Sequence, residues 1–484
     1  MYLGIDLGTS SVKCMLIDGN QEVVGSASAA LDVANPHPGW SEQEPRHWIA
    51  ATESALESLK ASHSAALSAV RGIGLSGHMH GATLIDRQDQ PIRPCILWND
   101  TRSHAEAAEL DSQPLFRALT GNIVFPGFTA PKLLWAARHE QAAFGAVRFV
   151  LLPKDYLRLW LTGEHMSDMS DSAGTAWLDV RGRRWAPELL AATGLEERHM
   201  PDLVEGTDTT GTLRPELAAR FGMGNGVVVA GGGGDNAASA AGLGTIAEGD
   251  AFLSLGTSGV LFAATSAFRP DAPTAVHAFC HALPDTWHQM GVILSATDSL
   301  NWLSSITGAS HSALTGELGD GLKPPGSVTF LPYISGERTP HNDAAIRGAF
   351  AGIGKESDRP ALTQAVIEGV AFAFADCRDA LANAGTRIDR VLAAGGGARS
   401  RYWLRALATV LDMEIDVPVN GDFGAAFGAA RLGLIAATGA DPRSVMTKPA
   451  IAETIGPDRA LRDAFAERLA SYRKLYPAIR SATS

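Results

Sequence analysis

The sequence has few cysteines, few aromatic residues, no excess of basic charge and no long unbroken apolar run, and each shortage excludes something. Four cysteines in 484 residues, Cys14, Cys95, Cys280 and Cys377, form no C-x-x-C pair, and the closest two lie 81 residues apart. That argues against a disulfide framework and a thiolate zinc site, and leaves ordinary buried thiols. Lys plus Arg number 40 against 52 Asp plus Glu, a net charge of −12, which repels a polyanionic backbone, so no nucleic-acid partner is expected. The apolar stretch around Val227 to Leu243 is interrupted by Asp235 and Asn236 and is too rich in glycine for a membrane span. Asp6 stands where a signal peptide would be apolar, with no basic residue ahead of it. A soluble, cytoplasmic protein without membrane contacts is expected.

What is present in quantity is apolar residue, 45%, and glycine, 51 residues. The first suffices for a large core in a chain of roughly two to four domains. The second marks places where backbone turns tightly or meets a ligand. The opening residues alternate β-prone runs with turn chemistry, Tyr2 to Leu7, Val12 to Ile17 and Glu22 to Ala30, which predicts two consecutive hairpins. A helix is expected from Pro45, with Trp48, Ala51, Thr52, Ala55, Leu56 and Leu59 at helical spacing. Residues 309–327, rich in Gly, Ser and Pro, read as a surface loop.

An internal echo organises the rest. Leu7-Gly8-Thr9-Ser10, followed by Val12, returns as Leu255-Gly256-Thr257-Ser258 with Val260, an offset of 248, about half the chain. Gly-rich strand ends at 72–77 and 394–398 occupy comparable late positions. Two related α/β domains facing one another follow, with a boundary near residue 245 after the Ala-rich helix expected over 236–243: residues 1–245 and 246–484.

Several motifs fail on context. Gly72-x-Gly74-x-x-Gly77 is followed by a strand-like segment and not the helix a dinucleotide site needs. Gly354-Lys355 is followed by Glu356 where a P-loop needs Ser or Thr. His78 with His80 on a strand, and His277 with His281 on a helix, could each present two imidazoles, but no third ligand stands at metal spacing and structural roles are expected. Asp6-x-Gly8-Thr9-Ser10 is more specific: glycine lets backbone N–H groups approach phosphate oxygens, hydroxyls add donors, and the acid can hold a hydrated cation. Opposed by Gly256-Thr257-Ser258, it reads as one side of a phosphate clamp. Asp235 follows a buried strand and four glycines at the start of a helix, so it is either a helix N-cap or a general base approached over thin polypeptide.

Together these residues resemble the FGGY carbohydrate kinases, within the ribonuclease-H-like, actin-like ATPase fold. The resemblance spans the chain and includes Gly127 to Trp135 and Gly348 to Ile353 leading to Ala365-Val366-Ile367-Glu368. Further segments are His37 to Pro45, Gly77 to Gly81, Leu97 to Arg102, Leu152 to Leu157 and Gly336 to His341. It implies transfer of the ATP γ-phosphoryl group to the terminal hydroxyl of a ketopentose across a cleft between two such domains. Asp235 would be the base and Asp6 would hold Mg²⁺ through water. Gly8, Thr9, Ser10, Lys13, Gly256, Thr257 and Ser258 would bind phosphates, and Gly395, Gly396, Gly397 and Ala398 the adenosine. Met79, His80, Asn236, Trp98, Asn99, Asp100 and Arg102 would line the sugar site. Another ketose, a polyol or a sugar acid is the alternative substrate, and an actin-like or chaperone-like ATPase the alternative class. A homodimer is a family-level expectation, and hinge closure near residue 245 is expected because a kinase must keep water from replacing the sugar as nucleophile.

Overall fold

The computed structural model describes residues 1–419 and 423–483. Tyr2–Leu7 pairs antiparallel with Ser11–Ile17, which pairs antiparallel with Val23–Ala30. On its other side Tyr2–Leu7 runs parallel to Gly72–Gly77, and that strand runs parallel to Val228–Ala230. Thr209–Thr212 adds an antiparallel edge. The second half repeats this order. Ala251–Leu255, Gly259–Thr265 and Trp287–Ile293 form the antiparallel meander; Arg390–Ala394 and Glu414–Pro418 run parallel on the far side, with Ile451–Ile455 as the antiparallel edge. The echo in sequence is therefore an echo in topology. Each Gly-Thr-Ser turn joins the first two strands of its own sheet.

The expected helix is Pro45–Ser68, with proline in its first turn and Trp48, Ala51, Thr52, Ala55, Leu56 and Leu59 buried. Two expectations are corrected. His277–Cys280 is an edge strand, not part of a helix, so the four-residue spacing of His277 and His281 carries no shared helical face. Within 309–327 a short helix, His311–Gly316, forms behind Ser310, whose hydroxyl accepts the Ala313 N–H; that cap gives a polar, glycine-containing segment its helix start.

Among the described residues the halves meet in several places, two of which border the site. Helix Ala425–Thr438 comes from the second half of the chain yet lies on the first sheet. A Cβ at Gly4 would fall 1.8 Å from the Ala426 carbonyl oxygen, and one at Gly74 1.8 Å from that of Ala429. The same helix crosses Asp235–Leu243, where a Cβ at Gly428 would lie 1.7 Å from the Ala238 carbonyl oxygen. Backbone meets backbone, so no side chain larger than hydrogen fits. The second junction is an apolar core combining Phe116, Phe125, Phe128 and Trp177 with Phe252, Phe262, Phe279 and Met290.

Candidate active site

Register brings the two acids together. Asp6 pairs with Ser76, Ser76 with Gly233, and Gly77 with Gly234, so Asp6 and Asp235 stand at the same end of the sheet, at the two strands that flank Gly72–Gly77. Asp235 is the first residue of helix Asp235–Leu243, and Gly234 occupies the N-cap; the N-cap alternative for Asp235 is not what the chain adopts. Its Oδ1 accepts from the Asn236 backbone N–H at 2.7 Å and Asn236 Nδ2 at 3.0 Å. Burial, then the charge of Asp6, push the Asp235 carboxyl up to about 6, against the pull of the Asn236 donors. Asp6 is also raised, chiefly by burial, while the neighbouring Ser76 hydroxyl and the Lys13 ammonium draw it back.

The glycines ahead of Asp235 are explained by protein rather than by open space. A Cβ at Gly231 would meet the Glu205 carbonyl oxygen at 2.1 Å, and one at Gly234 would meet Met79 Cγ at 2.9 Å. Gly232 adopts φ +76°, a left-handed conformation open to glycine.

Met79 and His80 reach the same place. Both side chains pack on Gly174, where a Cβ would lie 2.5 Å from His80 Cε1 and 2.8 Å from Met79 Cε. His80 stacks on Phe128, and its Nδ1 lies 2.6 Å from the Gly174 carbonyl oxygen. A carbonyl only accepts, so Nδ1 carries the hydrogen and Nε2 is left as an acceptor. Burial holds the ring neutral, with its pKa lowered to about 3. The His80 carbonyl, in a residue at φ +71°, accepts from Lys132 Nζ at 2.8 Å and Thr129 Oγ1 at 3.1 Å.

The remaining sugar-site expectations divide. Trp98 is brought to the first turn, its Nε1–H donating to Thr9 Oγ1 at 3.1 Å. Asn99 is exposed and lines a surface groove with residues 35–41. Asp100 and Arg102 are buried and paired with each other. Arg102 grips Asp100 through Nε and Nη2 at 2.9 and 2.7 Å, lies 2.7 Å from Glu42, and stacks on Trp40. Asp100 also accepts the Ser41 N–H at 2.6 Å. Their charges are paired inside the fold, where they hold Trp40, Ser41 and Glu42.

The phosphate turns present Ser10 and Thr257 exposed. Gln43 Nε2 holds the Thr9 carbonyl at 2.7 Å, and the Gly256 carbonyl accepts from the Thr297 hydroxyl at 2.8 Å. Ser258 follows Thr257, and Lys13 faces Asp6 across the first hairpin. Gly395 has φ +85° and packs against Leu255, as does Gly397; Gly396 faces open space. The turn Gly395 to Ser400 separates two cavities of about 490 Å³ each. Asn236, Ser254, Gly395 and Ala398 line one; Thr297, Asn301, Gly396, Ser400 and Trp403 line the other. No group of three or more metal-ligating side chains occurs among the described residues, nor any helix there long and apolar enough to cross a membrane. Sequence reasoning missed Gly174 and Lys132 as neighbours of His80, because they meet it from 94 and 52 positions away.

Duplicated sheets of this order, each with a hydroxyl-bearing Gly-Thr-Ser turn between its first two strands, and two carboxylates at one end of the first sheet define a phosphoryl-transfer protein of the ribonuclease-H-like, actin-like ATPase class. The chain belongs to the FGGY family of carbohydrate kinases, matching the N-terminal domain over residues 1–242 and the C-terminal domain over residues 251–437. It is 46% identical to a xylulose kinase of Escherichia coli K12 over 98% of both chains, and 49% identical to one of Klebsiella pneumoniae over 93% of this chain and 92% of that one. The crystal structure of a xyloylose kinase from Brucella ovis superimposes with a TM-score of 0.98 at 64% identity, covering 99% of each chain. Membership of this family makes the protein an enzyme that uses ATP to phosphorylate a small sugar, and sets aside the filament and chaperone classes.

Proposed function

We propose that the protein transfers the γ-phosphoryl group of ATP to the C5 hydroxyl of D-xylulose, giving D-xylulose 5-phosphate and ADP. The observation that carries this reading is the convergence of Met79, His80, Asn236 and Asp235 in a chain 46% identical to a xylulose kinase along nearly its whole length. As the new oxygen–phosphorus bond forms and the bond to the β-phosphate breaks, Asp235 takes the hydroxyl proton. A carboxyl near 6 is ionised at neutral pH yet more basic than an exposed aspartate. His80 Nε2 accepts from a sugar hydroxyl, and Asn236 braces the base.

Thr9, Ser10, Thr257 and Ser258, with Gly8 and Gly256 backbone and the Lys13 charge, receive the phosphates from both sides. The adenosine lies in the cavity that includes Gly396 and Trp403, because Thr297 links that cavity to the second turn. Asp6 fits a hydrated Mg²⁺: its Oδ1 is buried without a hydrogen-bond partner at the foot of the first turn. Bound with ATP, the ion neutralises phosphate charge. Residues 1–245 would thus carry sugar and base, and residues 246–484, of which 420–422 and 484 lie outside the described residues, the nucleotide. The reaction belongs in the cytoplasm, where ATP is kept. A homodimer is checked by light scattering, and cleft closure by small-angle scattering with and without ligands.

ADP release with MgATP and D-xylulose, D-ribulose, L-ribulose, glycerol, xylitol or gluconate tests the assignment. D-xylulose should give the highest kcat/KM; a different winner reassigns the sugar, and no stimulation by any of them removes the proposal.

A further inference from the structure

Behind the base lies a buried charge cluster that the reaction as described does not use. Lys154 Nζ stands 2.6 Å from Asp155, 2.6 Å from Asp168 and 3.2 Å from Asp171, and all four side chains are wholly buried. Arg158, also wholly buried, adds a second cation 3.5 Å from Asp155. Replacing buried ion pairs with apolar side chains is often neutral or stabilising, so a cluster of this kind is weak evidence for stability as its purpose. Charged hydrogen bonds are instead directional and fix geometry.

The directions here converge on one short segment. Arg158 Nη1 donates to the Ala230 carbonyl at 2.6 Å and Nη2 to the Gly231 carbonyl at 2.5 Å. At the other end the Gly234 N–H donates to Ser170 Oγ at 3.1 Å. Ser170 Oγ in turn donates to Asp168 Oδ2 at 2.5 Å, and the other Asp168 oxygen faces Lys154. Lys154 also backs the neighbouring strand, where a Cβ at Gly77 would fall 2.9 Å from its own Cβ. The run from Ala230 to Gly234 has no side chain beyond Ala230 to anchor it. Its position is set by what its backbone bonds to, and Asp235 is the next residue.

We infer that Ser170, oriented through Asp168 by Lys154, and Arg158 are positioning residues that hold the glycine run so that Asp235 meets the sugar hydroxyl. This rests on the reading of Asp235 as base. A displacement near 1 Å at a reacting group can cost a hundredfold in rate, so a hydrogen bond to the residue before the base has leverage on turnover.

Ser170→Ala is the test, because it deletes one oxygen and leaves every charge in place. It is expected to lower kcat about tenfold with both KM values within twofold of wild type. The acid limb of the kcat/KM profile should also move down by at least half a pH unit, as the loosened carboxylate gains water. Ser170→Cys, with a weaker acceptor, should fall between. Arg158→Lys keeps the charge but not the two-carbonyl grip, and should lower kcat with the same limb shift; it serves if Ser170→Ala does not fold. A folded Ser170→Ala with wild-type kcat and limb overturns the inference, as does an equal loss in kcat, both KM values and melting temperature without a limb shift. Asp235→Ala is run alongside. If it loses a hundredfold while the Ser170 variants are normal, only the relay falls; if it stays active, the base assignment falls and takes the relay with it.

Discussion

Replacing Asp235 by asparagine should make the protein inactive and more stable at once, and the stability gain should depend on pH in a defined way. The carboxyl is raised from 3.8 to about 6, so the folded state binds its proton more tightly than the unfolded state does. The resulting penalty on folding is absent at pH below about 4, grows as the pH rises, and is complete above about 6. At ~1.36 kcal/mol per pKa unit, a shift of about 2 units amounts to ~3 kcal/mol, an upper bound because the carboxylate is partly exposed to the screening solvent. Unfolding entropy of ~2.1 cal/mol/K per residue converts this to roughly 3 °C if the whole chain melts together, and roughly 6 °C if one half melts alone. Calorimetry of both proteins between pH 4 and 8 reads the difference directly. Asp235→Asn should melt higher at pH 8 and converge with wild type toward pH 4, while kcat drops at least about a hundredfold. A variant that melts lower, or whose advantage is the same at pH 4 and pH 8, refutes the buried, charge-repelled base.

Lys132→Met should raise KM for the sugar about tenfold while leaving KM for ATP unchanged, since it frees the His80 carbonyl, and Lys132→Arg should recover part of the loss; steady-state kinetics in both substrates decides. Gly396→Ala meets no protein atom within 4 Å, so its melting temperature should match wild type while KM for ATP rises several-fold; unchanged nucleotide affinity would move the adenosine elsewhere. Asp100→Ala leaves Arg102 buried beside Glu42 alone and should cost about 3 kcal/mol or more in denaturant unfolding, with KM for the sugar near normal; a large KM effect without a stability loss would return Asp100 to the sugar site.

Features set by local chemistry were legible in the sequence. The helix at Pro45, both hairpins and both Gly-Thr-Ser turns follow from residue spacing, and the repeat gave away the duplicated sheet. Asp6 and Asp235 stood out because acids at strand ends beside glycines are rare combinations. What stayed hidden depends on long-range partners. The glycines of 231–234 looked like an approach path for substrate, but they are shaped by Glu205, Leu75 and Met79. That Asp100 and Arg102 are buried and paired with each other was hidden too, because exposed and ion-paired side chains are written in the same letters. His277–Cys280 is a strand because it completes the edge beside Trp287–Ile293, a fact about its neighbour.

Helix Ala425–Thr438 has a consequence for the order in which the protein can be made. The first sheet is fully synthesised once residue 234 has left the ribosome, but the helix that covers its glycine face starts 191 residues later (425 − 234). At translation rates of ~5–20 residues per second that face waits roughly 10 to 40 s. During that interval its glycines offer bare backbone to any passing chain, and the first half can settle only when the second half, nearly complete, threads its helix back. The two halves look like successive domains, yet neither finishes folding before the other, so a gene split between them should yield soluble protein only when both pieces are produced together.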